Sequence, residues 1–405
     1  VYLLARAAFL EQSQVTLEAA RALGASRREV FWRVALPLAR PSIVSGATLA
    51  LMEALADFGT VATFNYSTFT VAIYRVWFGM FERQAATQLA SLLLLFTLSL
   101  YLVERALRGR ARFYQTSGST RAAPRKSLTG WRGWTASAVA AFVIGVAFVI
   151  PIFQLTLWIT GGEGIDDRYP EFLGNTLSVA AIAALLTVAA AVVIAYGVRL
   201  SRGVMVVIFA RVSSMGYALP GSVIAVGVLV SLAWLDRLLG GLLRDTLGIS
   251  TRLLLTGSIV GLLFAYLVRF LSLSYQTVES SLAKVTPSMD MVARSLGASA
   301  WGVLRRIHLP LIRGGLCTAA ILVFVDVMKE MPATLLLRPF GYETLAVRVW
   351  QFTSESLWEA AALPALTIVA AGVLPVIILV RSSARPFGEQ RSTIAIDHRD
   401  GSETR

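Results

Sequence analysis

Four carboxylates stand where a mostly apolar chain would otherwise carry none. Glu53 and Asp57 are four residues apart near the end of one apolar run, and Asp326 and Glu330 repeat the spacing near the end of another. Residues four apart share one face of a helix, so each pair reads as two acids on one side of a span. Charged groups at membrane depth are costly and usually face protein or water. Two roles fit: lining a polar path, where oxygen ligands suit a hard cation, or sitting at the membrane surface paired with Lys329, Arg75 or Arg348.

The elements that hold these acids come in two copies. EAARALGASRREVFWRVALP near the start returns as MVARSLGASAWGVLRRIHLP near the end. Gly24 matches Gly297 and Pro37 matches Pro310, an offset of 297 − 24 = 273. The same ungapped offset pairs Glu53 with Asp326, Asp57 with Glu330, Arg75 with Arg348, Trp77 with Trp350 and Glu82 with Glu355. A repeat this long is a duplicated fold unit, not a solenoid motif. Transporters are often built from such repeated halves.

Composition sets the environment. Of the 405 residues 56% are hydrophobic and 15% charged, with mean hydropathy +0.68, against about 25% charged in a soluble domain. This is the composition of an all-α integral membrane protein. The net charge of +13 comes from arginines clustered between apolar runs, as the positive-inside rule produces, and excludes nucleic acid as the partner. A lone Cys317 and two distant histidines, His308 and His398, leave no disulfide framework and no metal cluster to expect. No G-x-x-x-x-G-K-[ST] sequence occurs, so ATP, if used, belongs to a partner. Without a nucleophile–base constellation, no catalysis by this chain is expected.

Apolar runs long enough to span a bilayer lie near 42–58, 86–104, 134–160, 173–198, 216–235, 253–271, 315–335 and 360–380, after a stub at 1–10. Arginine-rich connections at 11–40, 105–133, 199–211, 282–313 and 381–405 place themselves inside. The expected organisation is the C-terminal part of a first half (1–106), a basic cytoplasmic linker (107–133), a complete second half (134–380) and a disordered cytoplasmic tail (381–405). About six spans in the second half give both halves one orientation, a parallel repeat. The first copy has no counterpart of 134–273, so the first half is expected to be truncated in this sequence. Pro220 and Gly221 interrupt a span; they either free backbone carbonyls, as broken transporter helices do, or kink a packed helix.

The repeated inner loop reads as helix, turn, helix. Gly24 and Gly297 suit a left-handed cap, Ser26 and Ser299 suit the next N-cap, and Ser26 with Glu29 forms an S-x-x-E capping box. Val30, Phe31 and Val34, matched by Val303, Leu304 and Ile307, make an apolar stripe, with Arg27, Arg28 and Arg33 on the polar side. Pro37 and Pro310 are expected to stop this helix before the following span. Such a short amphipathic element suits docking into another protein's groove.

These residues resemble the EAA loop of bacterial binding-protein-dependent ABC importer permeases. Glu18, Ala19, Ala20, Gly24, Leu36 and Pro37 fit the first copy, and Ala293, Gly297, Leu309 and Pro310 the second. Met291 stands where the second acid is expected, with Asp290 beside it as a substitute. ALADFGTVATF, TVAIYRVWFGMF, GYALPGSVIAVG and VDVMKEMPATLLLRPFGYETLAVRVWQ are similar to stretches of the fused two-half ferric iron permeases; thiamine, polyamine and sulfate permeases share much of the pattern. The resemblance implies a bacterial inner-membrane subunit with no cofactor of its own, loops that dock on a cytoplasmic ABC ATPase dimer holding ATP, and cargo brought by a periplasmic binding protein. The translocation path would pass Glu53, Asp57, Pro220, Asp326 and Glu330, by alternating access. An ion-coupled secondary transporter is the competing class; it has no use for twin docking loops.

Overall fold

The structure, a computed structural model, describes residues 1–12, 14–108, 128–161, 166–201, 203–247 and 253–383. Among them eight helices are long and apolar enough to cross a membrane: α1 (Arg27–Ala56), α2 (Arg83–Val103), α3 (Trp131–Gly161), α4 (Tyr169–Leu200), α5 (Gly221–Thr246), α6 (Ile259–Leu282), α7 (Ala300–Met328) and α8 (Trp358–Ile377). Each expected apolar run has its helix, and no strand occurs among the described residues. Most of the expected linker, residues 109–127, and the tail beyond 383 lie outside the described residues.

The spans of the second half pack on α4, α6 and α7, and small residues bring them close. Ala180, Ala183, Ala265 and Ala319 are almost fully buried, which is how helices approach where lipid removes the usual hydrophobic drive. At Gly315 an added Cβ would stand 2.0 Å from Ser281 Oγ, so α7 and α6 touch through bare backbone. The main core also takes Ile73, Ala90 and Leu93 from the first half against Val226, Leu229 and Met328 of the second. A smaller cluster joins Phe58 and Val71 to Met331, Leu335 and Val347. The halves therefore share one interior.

The repeat is visible element by element. Gln14–Ala22 corresponds to Pro287–Ser295, Arg27–Val30 to Ala300–Val303, and the π turn Phe31–Ala35 to Leu304–His308, all at the offset 287 − 14 = 273. Beyond the acids the ungapped register fails. The left-handed residues Asn65 and Gly341 and the N-caps Thr68 and Thr344 are related by 341 − 65 = 276 and 344 − 68 = 276, so the second copy carries three extra residues there. Arg75 and Arg348, Trp77 and Trp350, and Glu82 and Glu355 are thus not structural equivalents. Their sequence match does not carry over to the structure; Trp350 instead meets Tyr74 edge to face across the halves, with centroids 5.2 Å apart.

Pro37 and Pro310 do not stop their helices. In each copy a π turn precedes the proline: Leu36 N–H reaches back to Phe31 O, and Leu309 N–H to Leu304 O. Widening the turn slips the hydrogen-bond register ahead of the residue that lacks a donor, so the ring is carried without a break. The same device, Gly145–Val149, stands before Pro151 in α3. Loop helix and span are consequently one continuous helix in both copies.

Candidate functional site

The two inner loops share a backbone. Gly24 and Gly297 have φ of +89° and +84°, a region costly for residues bearing a Cβ. Ser26 and Ser299 cap the following helix, accepting from Glu29 N at 3.3 Å and Gly302 N at 3.2 Å. Glu29 returns a bond to Ser26 N at 3.0 Å, completing the capping box in the first copy. Val30, Val303 and Leu304 turn inward, while Arg27, Arg28, Pro37, Pro310 and Glu18 stay exposed. Leu23 and Leu296, one residue before each glycine, are 88% and 82% exposed. They are apolar knobs that the sequence reading passed over.

The anchoring of the loops differs. Asp290 points into its own half: Oδ2 accepts from Arg199 Nε at 2.9 Å, and Oδ1 lies 2.6 Å from His308 Nε2. The remaining guanidinium nitrogens of Arg199 donate to Leu282 O and Val285 O, each at 2.9 Å. Burial pushes the Asp290 carboxyl up, but the bonds from Arg199 and His308 outweigh it and hold it below the usual carboxylate range. Asp290 thus clamps the loop to α4 and α7 and does not present an acid outward in place of Glu18, as its neighbouring position had suggested. Ala293 is likewise buried, at 5% exposure, so it packs inside the loop. Gln12 provides the first loop's counterpart, donating to Ala35 O at 2.7 Å.

The four acids meet at a cavity of about 700 Å³ between the ends of α1 and α7, also lined by Tyr217, Arg269 and Lys329. They do not form two i,i+4 pairs on helix faces. The chain leaves the helix at Ala56 and at Met328, so Asp57 is an extended C-cap and Glu330 lies beyond the capping Lys329. Asp57 Oδ1 then accepts from Thr60 N at 3.3 Å, capping the short helix Gly59–Thr63. Glu330 is 5% exposed and pairs with Arg269 Nε at 3.3 Å. Lys329 Nζ lies 3.1 Å from Asp326 Oδ1 and 4.0 Å from Glu53 Oε1. The other partners considered are engaged elsewhere: Arg75 donates to Asn65, and Arg348 pairs with Asp166 at 2.9 Å and lies over the Phe172 and Phe352 rings. No three His, Cys, Asp or Glu side chains among the described residues converge to hold a metal ion.

Arg269 was missed, although an arginine inside an apolar run signals function or burial with a partner. It explains Gly221. A Cβ there would stand 2.3 Å from Glu330 Oε1 and 2.4 Å from Arg269 Nη1, so the ion pair lies against the bare backbone where α5 begins. Pro220 is buried and is not among the residues lining the cavity. Its carbonyl accepts from Val223 and Ile224 N–H, starting α5 instead of facing a path.

Residues 1–113, which hold the first loop and the first acid pair, match the family described as "Binding-protein-dependent transport system inner membrane component". A Fe(3+)-transport system permease protein of Haemophilus influenzae is 28% identical over 368 residues, covering 89% of this chain and 70% of that protein. Over most of its length the chain is similar to the binding-protein-dependent inner-membrane permeases. A ferric transport system permease of Actinobacillus pleuropneumoniae is 24% identical, with the permease described here spanning 47% of its length. A putative 2-aminoethylphosphonate transport permease of Salmonella choleraesuis is 33% identical over 115 residues, 28% of this permease and 43% of that one. The permease is a multi-pass inner-membrane protein, and the family is a transport component rather than an enzyme.

Proposed function

We propose that this permease is the membrane subunit of an ATP-driven importer that carries ferric iron delivered by a periplasmic binding protein. The observation that carries the reading is the pair of inner loops, alike in turn, cap and π turn and each continuous with a span that ends at the acid-lined cavity. Such a pair suits a two-fold ATPase partner: each loop docks with one ATPase subunit through Glu18, Ala19, Ala20, Gly24, Arg27, Arg28 and Pro37 on one side, and the Gly297–Pro310 segment on the other. ATP is bound and hydrolysed there, and this chain needs no cofactor. Closure of the ATPase dimer draws the loops together and exchanges inward- and outward-facing states.

Iron is favoured by the similarity to ferric permeases over most of the chain and by the cavity's charge. Glu53, Asp57, Asp326 and Glu330 outnumber Arg269 and Lys329 there, which attracts a hard cation. Among the described residues no three ligands converge, which suits a cavity that draws a cation in without chelating it. A second reading rests on the same lining: carboxylates beside a guanidinium also suit a zwitterionic aminophosphonate, the cargo named for the Salmonella relative.

The test is uptake by proteoliposomes holding the permease and its ATPase, with binding protein and ATP outside and inside respectively. Ferric uptake that needs all three components and fails with Gly24→Asp supports the proposal. ATPase stimulation with aminophosphonate uptake and no iron uptake replaces the cargo. No stimulation by any binding protein overturns the importer reading in favour of an ion-coupled transporter.

A further inference from the structure

Glu53 and Asp326 occupy the same position of the two repeat copies, 326 − 53 = 273, before the point at which the register slips. They reach one cavity from opposite halves, and one ammonium, that of Lys329, lies within 4.0 Å of both. The residue equivalent to Lys329 in the first copy is Ala56, since 329 − 273 = 56. The repeat thus supplies two acids and a single cation to hold between them. The same cavity is lined by Arg269, with its side chain nine-tenths buried. Its ion pair with Glu330 at 3.3 Å already commits this second fixed cation, so it cannot take Lys329's place.

We propose that Lys329 is a tethered stand-in for the cargo cation. In the empty cavity its ammonium bridges the acids of the two halves; an arriving cation displaces it, and its return drives the cation on. This rests on the reading of the cavity as part of the path. Three features suit the role. Both Lys329 and Glu53 have side chains more than half exposed, at 53% and 59%, so their contact is weak and breaks readily. The lysine stem is long and flexible, with three donors on a compact charge. It also sits at the C-cap of α7, where the chain leaves the helix, so its side chain can swing out without disturbing the helix. Conduction needs a site that attracts a cation and still releases it; a built-in competitor supplies the release.

The experiment uses the permease–ATPase complex in nanodiscs and Tb³⁺ as a hard trivalent probe, read by luminescence sensitised through the aromatic residues at the cavity. Lys329→Met should bind Tb³⁺ at least about tenfold more tightly than the unchanged complex, since a unit charge that competes for the same two carboxylates is removed. In proteoliposomes it should slow cation delivery at saturation. Lys329→Arg, which keeps the charge, should behave as the unchanged complex does. Adding Glu53→Gln and Asp326→Asn to Lys329→Met should erase the gain. If the acid substitutions weaken Tb³⁺ binding but Lys329→Met leaves it unaltered, the stand-in is overturned while the path reading survives. If the acid substitutions leave both Tb³⁺ binding and transport unchanged, the path reading falls and takes the stand-in with it.

Discussion

The first and second copies of the repeat agree in backbone and disagree in what fastens them. Both inner loops have the left-handed glycine, the serine cap and the π turn. The second, however, is bound to its own half by Asp290, Arg199 and His308, where among the described residues the first is held by Gln12 and leaves Glu18 exposed. The acid pairs differ in the same way: Glu330 is buried on Arg269, whereas Asp57 only caps a turn. Duplication preserved the shape that any docking partner must meet. The fastening was free to diverge, because a clamp needs only to hold the shape, by whichever side chains are near.

The comparison breaks most completely at the glycines. Gly24→Asp or Gly297→Asp places a branched side chain at φ near +85°, at a cost of about 1–3 kcal/mol. Either should reduce transport to background with membrane insertion intact; normal co-purification of the ATPase with such a variant would refute docking at that loop. Next, Arg269→Met leaves Glu330 buried without its partner and should cost about 3–5 kcal/mol of stability. Asp57→Asn keeps a capping oxygen and should cost under about 1 kcal/mol. Thermal unfolding in detergent that shows equal losses would erase the distinction between the pairs.

A smaller contrast separates Asp290→Ala from Glu18→Ala. The first strands Arg199 and His308 and should cost about 1–3 kcal/mol; the second should change stability by less than about 0.5 kcal/mol. Because Asp290 is held below its ordinary 3.8, its contribution is present above that value and lost as pH falls through the lower, folded value. Unfolding scans should therefore show the Asp290→Ala deficit undiminished at about pH 5 and shrinking only in stronger acid. Where the copies agree no contrast is expected: Ser26→Ala and Ser299→Ala should each cost about 1 kcal/mol, seen as faster hydrogen exchange at the Glu29 and Gly302 amides.

Much of this molecule could be read in advance, and the exceptions have physical causes. The spans were legible because a run of about 20 apolar residues has few other uses. The loop turn was legible because glycine followed by serine two residues later meets two separate backbone needs. The prolines misled: a rule for helix ends cannot see a π turn that shifts the hydrogen bonds ahead of the ring. The acids misled for a related reason. Spacing of four predicts a shared face only while the helix lasts, and the chain leaves it at Ala56 and Met328. Asp290 and Glu18 are neighbours in register, and only contact with α4 shows that one of them faces inward.

The π turns also set the mechanical scale. Because Pro37 leaves the helix unbroken, Arg27 and Glu53 stand on one rod, about 39 Å apart at 1.5 Å per residue. Tilting such a rod by about 5° about its inner end sweeps its far end through about 3 Å. That stroke is comparable to the 3.1 Å separating Lys329 from Asp326, so a rotation too slight to unpack the bundle is enough to make or break the contact at the opposite face.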